Sequence, residues 1–436
     1  MTHMQRYIKS IQPILRSLLQ KGAFHVFFGN FISKFVAFFA SMFIVRLFTK
    51  NDYGTLGYVE NLFGYVYLFA GLGLTNALFR YIVLAKDSQD RNNIFGYVVK
   101  RGTIYNIILV TIFALVFAFV YPHKEEYNHA KFLLPLALIS IPFQYLTDSE
   151  IVFYRATFKS KKYAYISCAI AISVLLGKYL FAWIGGLIGA FTSNILIYMI
   201  WSLILLKEIR ARYLGYGITQ PLSKSTRNEI NIYSAQYMIT NSIWTIFMLN
   251  DIFILGQFGN STMLADYKVA SALPANLSLF SSSIGVFAAP YFVKNEKNTV
   301  WVRRNYLKIL GISTLIIGGV GLIMGIGAQP ILSILYGQEY VNAASLMQIL
   351  VVASVINNVI RYTGANLLAA MGQIKANMLI SILGVVLQIG INLVIAPRYG
   401  AYGIAYTSVI VYMVMALAVT FVFYRKFFRK EGEKGR

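Results

Sequence analysis

The sequence predicts an all-α polytopic membrane protein: about twelve transmembrane helices in two six-helix bundles related by a parallel repeat. Three observations predict it. Of 436 residues 58% are hydrophobic, and mean hydropathy is +0.62, too apolar throughout for a soluble chain of this length. Apolar runs of about 20 residues, the length a hydrocarbon core demands, recur along the chain. Segments around the fifth and sixth runs resemble segments around the eleventh and twelfth at an offset of 213–214 residues.

The elements follow in order. Residues 3–21 carry Ile8, Ile11, Leu15, Leu18 and Leu19 at helical spacing, with Arg6, Lys9, Arg16 and Lys21 on other faces. That suits a helix lying on an anionic leaflet. Twelve spans come next: 22–49, 55–80, 97–121, 130–155, 162–184, 186–206, 230–257, 264–292, 305–328, 344–370, 374–396 and 400–424. The expected domains are an interfacial helix (1–21), an N-terminal bundle (22–206), a linker (207–229), a C-terminal bundle (230–424) and a basic tail (425–436). No cleavable signal is visible, so the first span is expected to act as its own signal.

Orientation follows from lysine and arginine placement. With the amino terminus inside, 30 of the 39 fall on inner segments, while the outer loops hold Lys50, Lys124, Lys131 and Arg398. Both termini are therefore expected to be cytoplasmic. Most of the formal net charge of +23 is then topology, and no nucleic-acid partner is expected. Cys168 is the only cysteine and the four histidines are scattered, so no disulfide, metal site or cofactor is expected.

Five cations lie within spans: Lys34, Arg46, Lys178, Lys268 and Arg361. The carboxylates at comparable depth are Glu60, Asp148, Glu150, Asp251 and Asp266. A charge at bilayer depth costs roughly 2.5–3.5 kcal/mol on insertion scales, which makes each a functional candidate. Lys34, near the middle of the first span, shares a small polar helix face with Asn30, Ser33, Ala37 and Ser41; the phenylalanines lie elsewhere. Two readings are open: Lys34 lines a polar cavity, or it pairs with a carboxylate on a neighbouring helix. Residues nearer helix ends can snorkel to the interface.

The repeat is carried by Lys162 and Lys375 before the fifth and eleventh spans, and by Gly186-Leu-Ile-Gly189 and Gly400-Ala-Tyr-Gly403 before the sixth and twelfth. At the same offset Asp148 corresponds to Arg361. Six helices per copy leave both copies in one orientation, the parallel arrangement of many transporters. Pro135, Pro142, Pro274 and the glycines of 318–327 mark expected bending sites.

Several stretches then resemble a known family. They are FTKNDYGTLGYV (48–59), GLGLTNALFRY (71–81), FYRATFKSKKYA (153–164), LNDIFILGQFGN (249–260), ADYKVASAL (265–273), GQEYVNAASLMQIL (337–350) and APRYGAYGIAYT (396–407). In this order they resemble the polysaccharide-biosynthesis or oligosaccharide flippase family of the multidrug/oligosaccharidyl-lipid/polysaccharide exporter superfamily. The resemblance implies a two-bundle fold in the plasma membrane. It also implies transfer of an undecaprenyl-diphosphate-linked oligosaccharide from inner to outer leaflet. Lysine and arginine suit a diphosphate, so Lys34, Lys268, Arg361, Arg46 and Lys178 are candidates for it. Asn30, Ser33, Asn241, Gln236 and Asn250 are candidate sugar contacts, or interhelical hydrogen bonders. Asp251 and Glu60 are candidates for ion coupling, or for neutralising nearby cations. Polysaccharide polymerase machinery is a candidate partner.

Rival classes are weaker. No G-x-x-x-x-G-K-[ST] loop supports an ATP-driven pump. An enzyme could offer Glu125-Glu126 or Asp148-Ser-Glu150, but no D-x-D signature accompanies them. The serious alternative is a cation-coupled multidrug exporter of the same superfamily, using Asp251 and Glu60.

Overall fold

The computed structural model describes residues 41–120, 125–127, 129–214 and 220–428. The helix expected over 3–21, most of the first span with Asn30, Ser33 and Lys34, and the tail beyond Phe428 lie outside them. Residues 41–47, the close of the first span, are helical. α1 (Lys50–Tyr67) and α2 (Leu74–Leu84) make a pair bent by 44° where Gly71 and Leu72 take positive φ. α3 (Ser88–Leu115) runs on through a π-helical turn to Val120. α4 (Ala130–Leu138) and α5 (Ser140–Ala156) make the next span. α6 (Ser160–Ile209) and α7 (Lys224–Phe258) follow. The remaining helices are α8 (Ser261–Ala275), α9 (Ser278–Lys294), α10 (Thr299–Ser313), α11 (Gly319–Ile326), α12 (Ala328–Tyr336), α13 (Ala344–Ile356), α14 (Thr363–Ala370) and α15 (Ile374–Phe423).

Among the described residues eight helices are long and apolar enough to cross a membrane, or nine with the bent pair. Two of these, Ser160–Leu214 and Ile374–Phe428, have 55 residues each. A straight helix of that length would run about 80 Å, against a hydrocarbon core of about 30 Å. Each instead folds back at the glycine where the sequence places a link. Gly186 has φ 58° and ψ −138°; Gly400 has φ 53° and ψ −134°. That region is open essentially to glycine alone. Beyond each turn the limbs touch: a Cβ on Gly189 would lie 1.8 Å from the Phe181 carbonyl oxygen, and one on Gly403 2.5 Å from Ile395 Cγ2. The two long helices therefore supply four spans.

The turn before each long helix repeats too. Phe158 and Gly372 both have positive φ. The Lys159 N–H donates to the Tyr154 carbonyl at 2.9 Å, and the Gln373 N–H to the Leu368 carbonyl at 2.8 Å. Every one of these pairs is 214 residues apart. Gly186→Ala and Gly400→Ala should each lower stability by about 1–3 kcal/mol, read from the unfolding midpoint of the purified protein. At Gly186 nothing among the described residues beyond the turn's own backbone lies within 4 Å of the added methyl, so the loss there is conformational. A neutral Gly186→Ala would contradict the turn.

Several helices outrun their apolar windows because capped polar ends continue them. The Asp87 side chain accepts the Asp90 N–H at 2.8 Å, Ser223 Oγ accepts that of Thr226 at 3.1 Å, and Asn298 accepts that of Trp301 at 3.0 Å. α3, α7 and α10 thus start about six to nine residues earlier than expected. α12 was not expected. Of the expected bending sites, Pro274 lies at the close of α8, just before α9, and Gly327 (φ −84°, ψ 9°) separates α11 from α12, whereas Ile139, between Pro135 and Pro142, keeps helical φ and ψ of −59° and −25°.

The described chain divides into two compact units, 41–48 with Leu62–Ser242, and Thr49–Asn61 with 243–428. In the first, Leu78, Phe95, Tyr145, Phe153, Tyr154 and Ile230 share one core. Tyr145 donates its hydroxyl to the Val98 carbonyl at 2.9 Å. Glu208 gathers Lys162, Arg212 and the Tyr154 hydroxyl. In the second, Phe247, Phe292, Tyr306, Met415 and Phe423 form the core. Tyr306 and Phe423 stack at 3.8 Å between centroids. Elsewhere apolar side chains face outward, such as Ile107, Leu176, Leu322 and Val386, as spanning helices require.

Candidate functional site

The second unit encloses a cavity of about 400 Å³. Trp244, Phe247 and Asp251 of α7 line it, with Tyr267 of α8, Asn357 and Tyr362 of the segment after α13, and Ser408 and Tyr412 of α15. Trp244 and Phe247 stack at 5.4 Å between centroids. Aromatic faces therefore alternate with amide and hydroxyl groups.

Asp251 is the focus of polar contacts. It accepts the Tyr267 hydroxyl at 2.7 Å, Gln388 Nε2 at 2.7 Å, Asn392 Nδ2 at 2.9 Å and the Ser408 hydroxyl at 3.4 Å. Gln388 and Asn392 are one helical turn apart in the first limb of α15; Ser408 comes from its second limb. The Gly400 turn brings both limbs to the carboxylate. Gln388 also bonds Ser408 at 3.2 Å. Among the described residues no donor reaches the buried Gln388 Oε1 or Asn392 Oδ1. Rotating either amide would turn its oxygen toward Asp251. The carboxylate could then sit among amide, phenol and hydroxyl oxygens, a donor set for a hard monovalent cation or a proton.

Arg361 lies beside this cavity, 5% exposed. Its guanidinium carbon is 4.5 Å from the Trp244 ring centroid. One terminal nitrogen donates to Ser381 Oγ at 3.5 Å. Among the described residues its Nε has no acceptor and no carboxylate pairs with it. The backbone here is a π-helical stretch, Asn357–Tyr362; such bulges re-aim side chains and recur at functional sites. The Thr363 hydroxyl takes up the Asn358 carbonyl at 2.8 Å.

Glu60 and Lys268 face each other at 2.5 Å, with Lys268 Nζ 4.8 Å from the Tyr53 ring centroid. Lys50 pairs with Asp266 at 2.7 Å, and Ser261 hydrogen-bonds Asn51. The charge of Lys268 is therefore balanced by Glu60, and binding a diphosphate there would require the pair to part. A double-mutant cycle of Glu60→Gln and Lys268→Met should give a coupling of about 1 kcal/mol in unfolding free energy. Additive effects would mean that the pair is not formed.

The other candidates are spread out. Arg46, Asn241 and Gln236 are exposed, and Lys178 is half-buried. Asn250 is 3% exposed, and its Nδ2 has no acceptor among the described residues. Asp148 accepts the Tyr67 hydroxyl. Glu150 is fully buried, with neither oxygen reached by a donor among the described residues. Tyr267, Gln388, Asn392 and Ser408 went unrecognised in the sequence. The usable signal was Gln388-x-x-x-Asn392, two amides on one face of an otherwise apolar span.

A solved structure of the lipid II flippase MurJ, in an inward closed conformation, is similar with a TM-score of 0.72 at 14% identity, covering 91% of this chain and 86% of that one. An inward-facing multidrug resistance MATE family transporter of the MOP superfamily gives 0.70 at 15% identity, over 91% and 94%. These similarities establish the fold, a twelve-helix arrangement in two bundles. An uncharacterised membrane protein of Methanocaldococcus jannaschii is 23% identical over 430 residues, 91% of this chain and 82% of its own. A family model described as "Polysaccharide biosynthesis protein" matches residues 43–345. This polytopic membrane protein thus belongs to the polysaccharide biosynthesis protein family.

Proposed function

We propose that the protein is a flippase. It moves undecaprenyl-diphosphate-linked oligosaccharide repeat units from the inner to the outer leaflet of the plasma membrane by alternating access, with both termini cytoplasmic, and supplies a polysaccharide polymerase outside. Family membership supports the substrate class, and the observation that carries an anionic headgroup is Arg361, buried with no carboxylate paired to it among the described residues. A diphosphate crossing hydrocarbon unaided would lose its hydration. Cations such as Lys34 and Arg361, with Lys268, Arg46 and Lys178 as further candidates, can replace it. Asn30, Ser33, Gln236, Asn241 and Asn250 are the proposed sugar contacts.

Asp251 is the proposed coupling site, taking a proton or a monovalent cation among Tyr267, Gln388, Asn392 and Ser408. Glu60 serves instead to hold Lys268. Asp251 beside aromatic walls also favours a second reading, a cation-coupled drug exporter. Ligand stabilisation separates the two. At 100 times Kd a ligand specific for the folded state adds about 2.7 kcal/mol. An undecaprenyl-diphosphate saccharide should raise the unfolding midpoint and ethidium should not. The reverse would make the protein a drug exporter.

A further inference from the structure

A second polar pocket lies in the first unit, well away in sequence from Asp251. It has a volume of about 600 Å³ and is lined by Arg101 of α3 and by Lys224, Ser225, Arg227, Asn228 and Asn231 of α7. Three cations and three neutral side chains line it, and among the described residues no carboxylate does. The nearest acid along α7, Glu229, accepts the Ser225 hydroxyl at 3.1 Å and is not part of the lining.

Arg101 is held in place. Its Nε donates to the Tyr105 hydroxyl at 2.5 Å and an Nη to the Tyr97 hydroxyl at 3.0 Å. The Tyr97 hydroxyl donates in turn to Asn231 Oδ1 at 3.0 Å, which ties α3 to α7 across the pocket. Both hydrogen bonds that Arg101 donates go to neutral phenols, so among the described residues no anion compensates its charge. Lys224 and Arg227 begin α7, where the helix dipole adds positive potential. Among the described residues no carboxylate pairs with any of the three. Grouped cations without acids favour phosphate, which arginine can clamp in bidentate fashion.

The surroundings select a lipid. Ile104, Ile108 and Ile112 follow Arg101 on the same face of α3, exposed by 47%, 51% and 54%. Ile232, next to Asn231, is 51% exposed. The polar pocket thus opens at the foot of an apolar stripe long enough for a hydrocarbon chain. On the lysine and arginine distribution this end faces the inner leaflet. We infer that Arg101, Lys224 and Arg227, with Ser225, Asn228 and Asn231, form a binding site for the phosphate-bearing headgroup of a membrane lipid, whose chain lies along Ile104, Ile108 and Ile112.

Native mass spectrometry of the full chain in detergent micelles tests this. The probes are phosphatidylglycerol, undecaprenyl diphosphate, diacylglycerol and inorganic pyrophosphate. The variant is Arg101→Gln/Lys224→Gln/Arg227→Gln, and the control is Lys294→Gln/Lys297→Gln/Lys308→Gln, which removes equal charge from exposed positions of the other unit. The site variant should lose at least ~10-fold in retained phosphatidylglycerol and undecaprenyl diphosphate, about 1.4 kcal/mol or more. The control should keep both, and diacylglycerol should distinguish none of the proteins. Undecaprenyl diphosphate displacing phosphatidylglycerol would identify the ligand as the substrate carrier. Equal retention of both would identify it as any anionic phospholipid, and would support the site even if the flippase reading failed. Unchanged lipid retention by the site variant, or equal loss by the control, would overturn the site. Pyrophosphate binding as tightly as either lipid would overturn the role of the stripe. Should the triple variant not fold, Lys224→Gln and Arg227→Gln, both at exposed positions, should each lose ~3-fold, and no loss in either would overturn the site.

Discussion

Asp251→Asn is expected to stop gradient-driven transport, lowering its rate at least ~100-fold, about 2.7 kcal/mol, while the protein stays folded. The substitution keeps the shape of a side chain that meets Tyr267, Gln388, Asn392 and Ser408. Gln388 and Asn392 can rotate their amides to suit a neutral partner, so the packing survives. What is lost is the negative charge that a proton or monovalent cation would neutralise. Asp251→Ala should behave differently. It strands the donors of Tyr267, Gln388 and Asn392 in a buried site, and each unpaired group costs about 1–3 kcal/mol. The alanine variant should therefore lose stability as well as transport. Transport measured in proteoliposomes with and without a sodium or pH gradient, beside unfolding midpoints, separates the two effects. Gradient-dependent transport at the normal rate by Asp251→Asn would reduce Asp251 to a structural acceptor.

Lys34→Ala is expected to abolish transport of the lipid-linked substrate, and Lys34→Arg to retain part of it. The residue lies outside the described residues, so this expectation rests on the sequence and on charge. A lysine near the middle of an apolar span is costly unless it has an anion to meet. A diphosphate is such an anion, and arginine offers the same charge in a different geometry. If Lys34 instead pairs with a carboxylate, Lys34→Ala leaves that acid unpaired in the membrane. Stability then falls and transport by the surviving protein does not. Measuring both quantities on one preparation tells the two roles apart.

The turns were legible because glycine at each link is a local requirement. Gly186 and Gly400 can be read one at a time, and their offset of 214 residues, beside the 213 of Lys162 and Lys375, exposed the repeat. Span ends were less legible. Apolar windows stop where side chains become polar, but the helices at Asp87, Ser223 and Asn298 run on because caps satisfy their first N–H groups. α12 was missed since nine residues are too few for a span. The Asp251 shell was hidden for another reason. Gln388, Asn392 and Ser408 carry no charge and lie 137 to 157 residues away in sequence. Only the Gly400 turn assembles them. The Glu60–Lys268 pair, 208 residues apart, could be read as two charges within spans but not matched.

The most direct test reconstitutes the protein in proteoliposomes and follows the leaflet occupied by a labelled undecaprenyl-diphosphate oligosaccharide, with an imposed sodium or proton gradient. Label should cross from one leaflet to the other in vesicles holding the wild-type chain, and Asp251→Asn and Lys34→Ala vesicles should hold it in place. A wild-type protein that leaves this label where it started under either gradient, yet moves ethidium, would be a drug exporter and not a flippase of lipid-linked oligosaccharide.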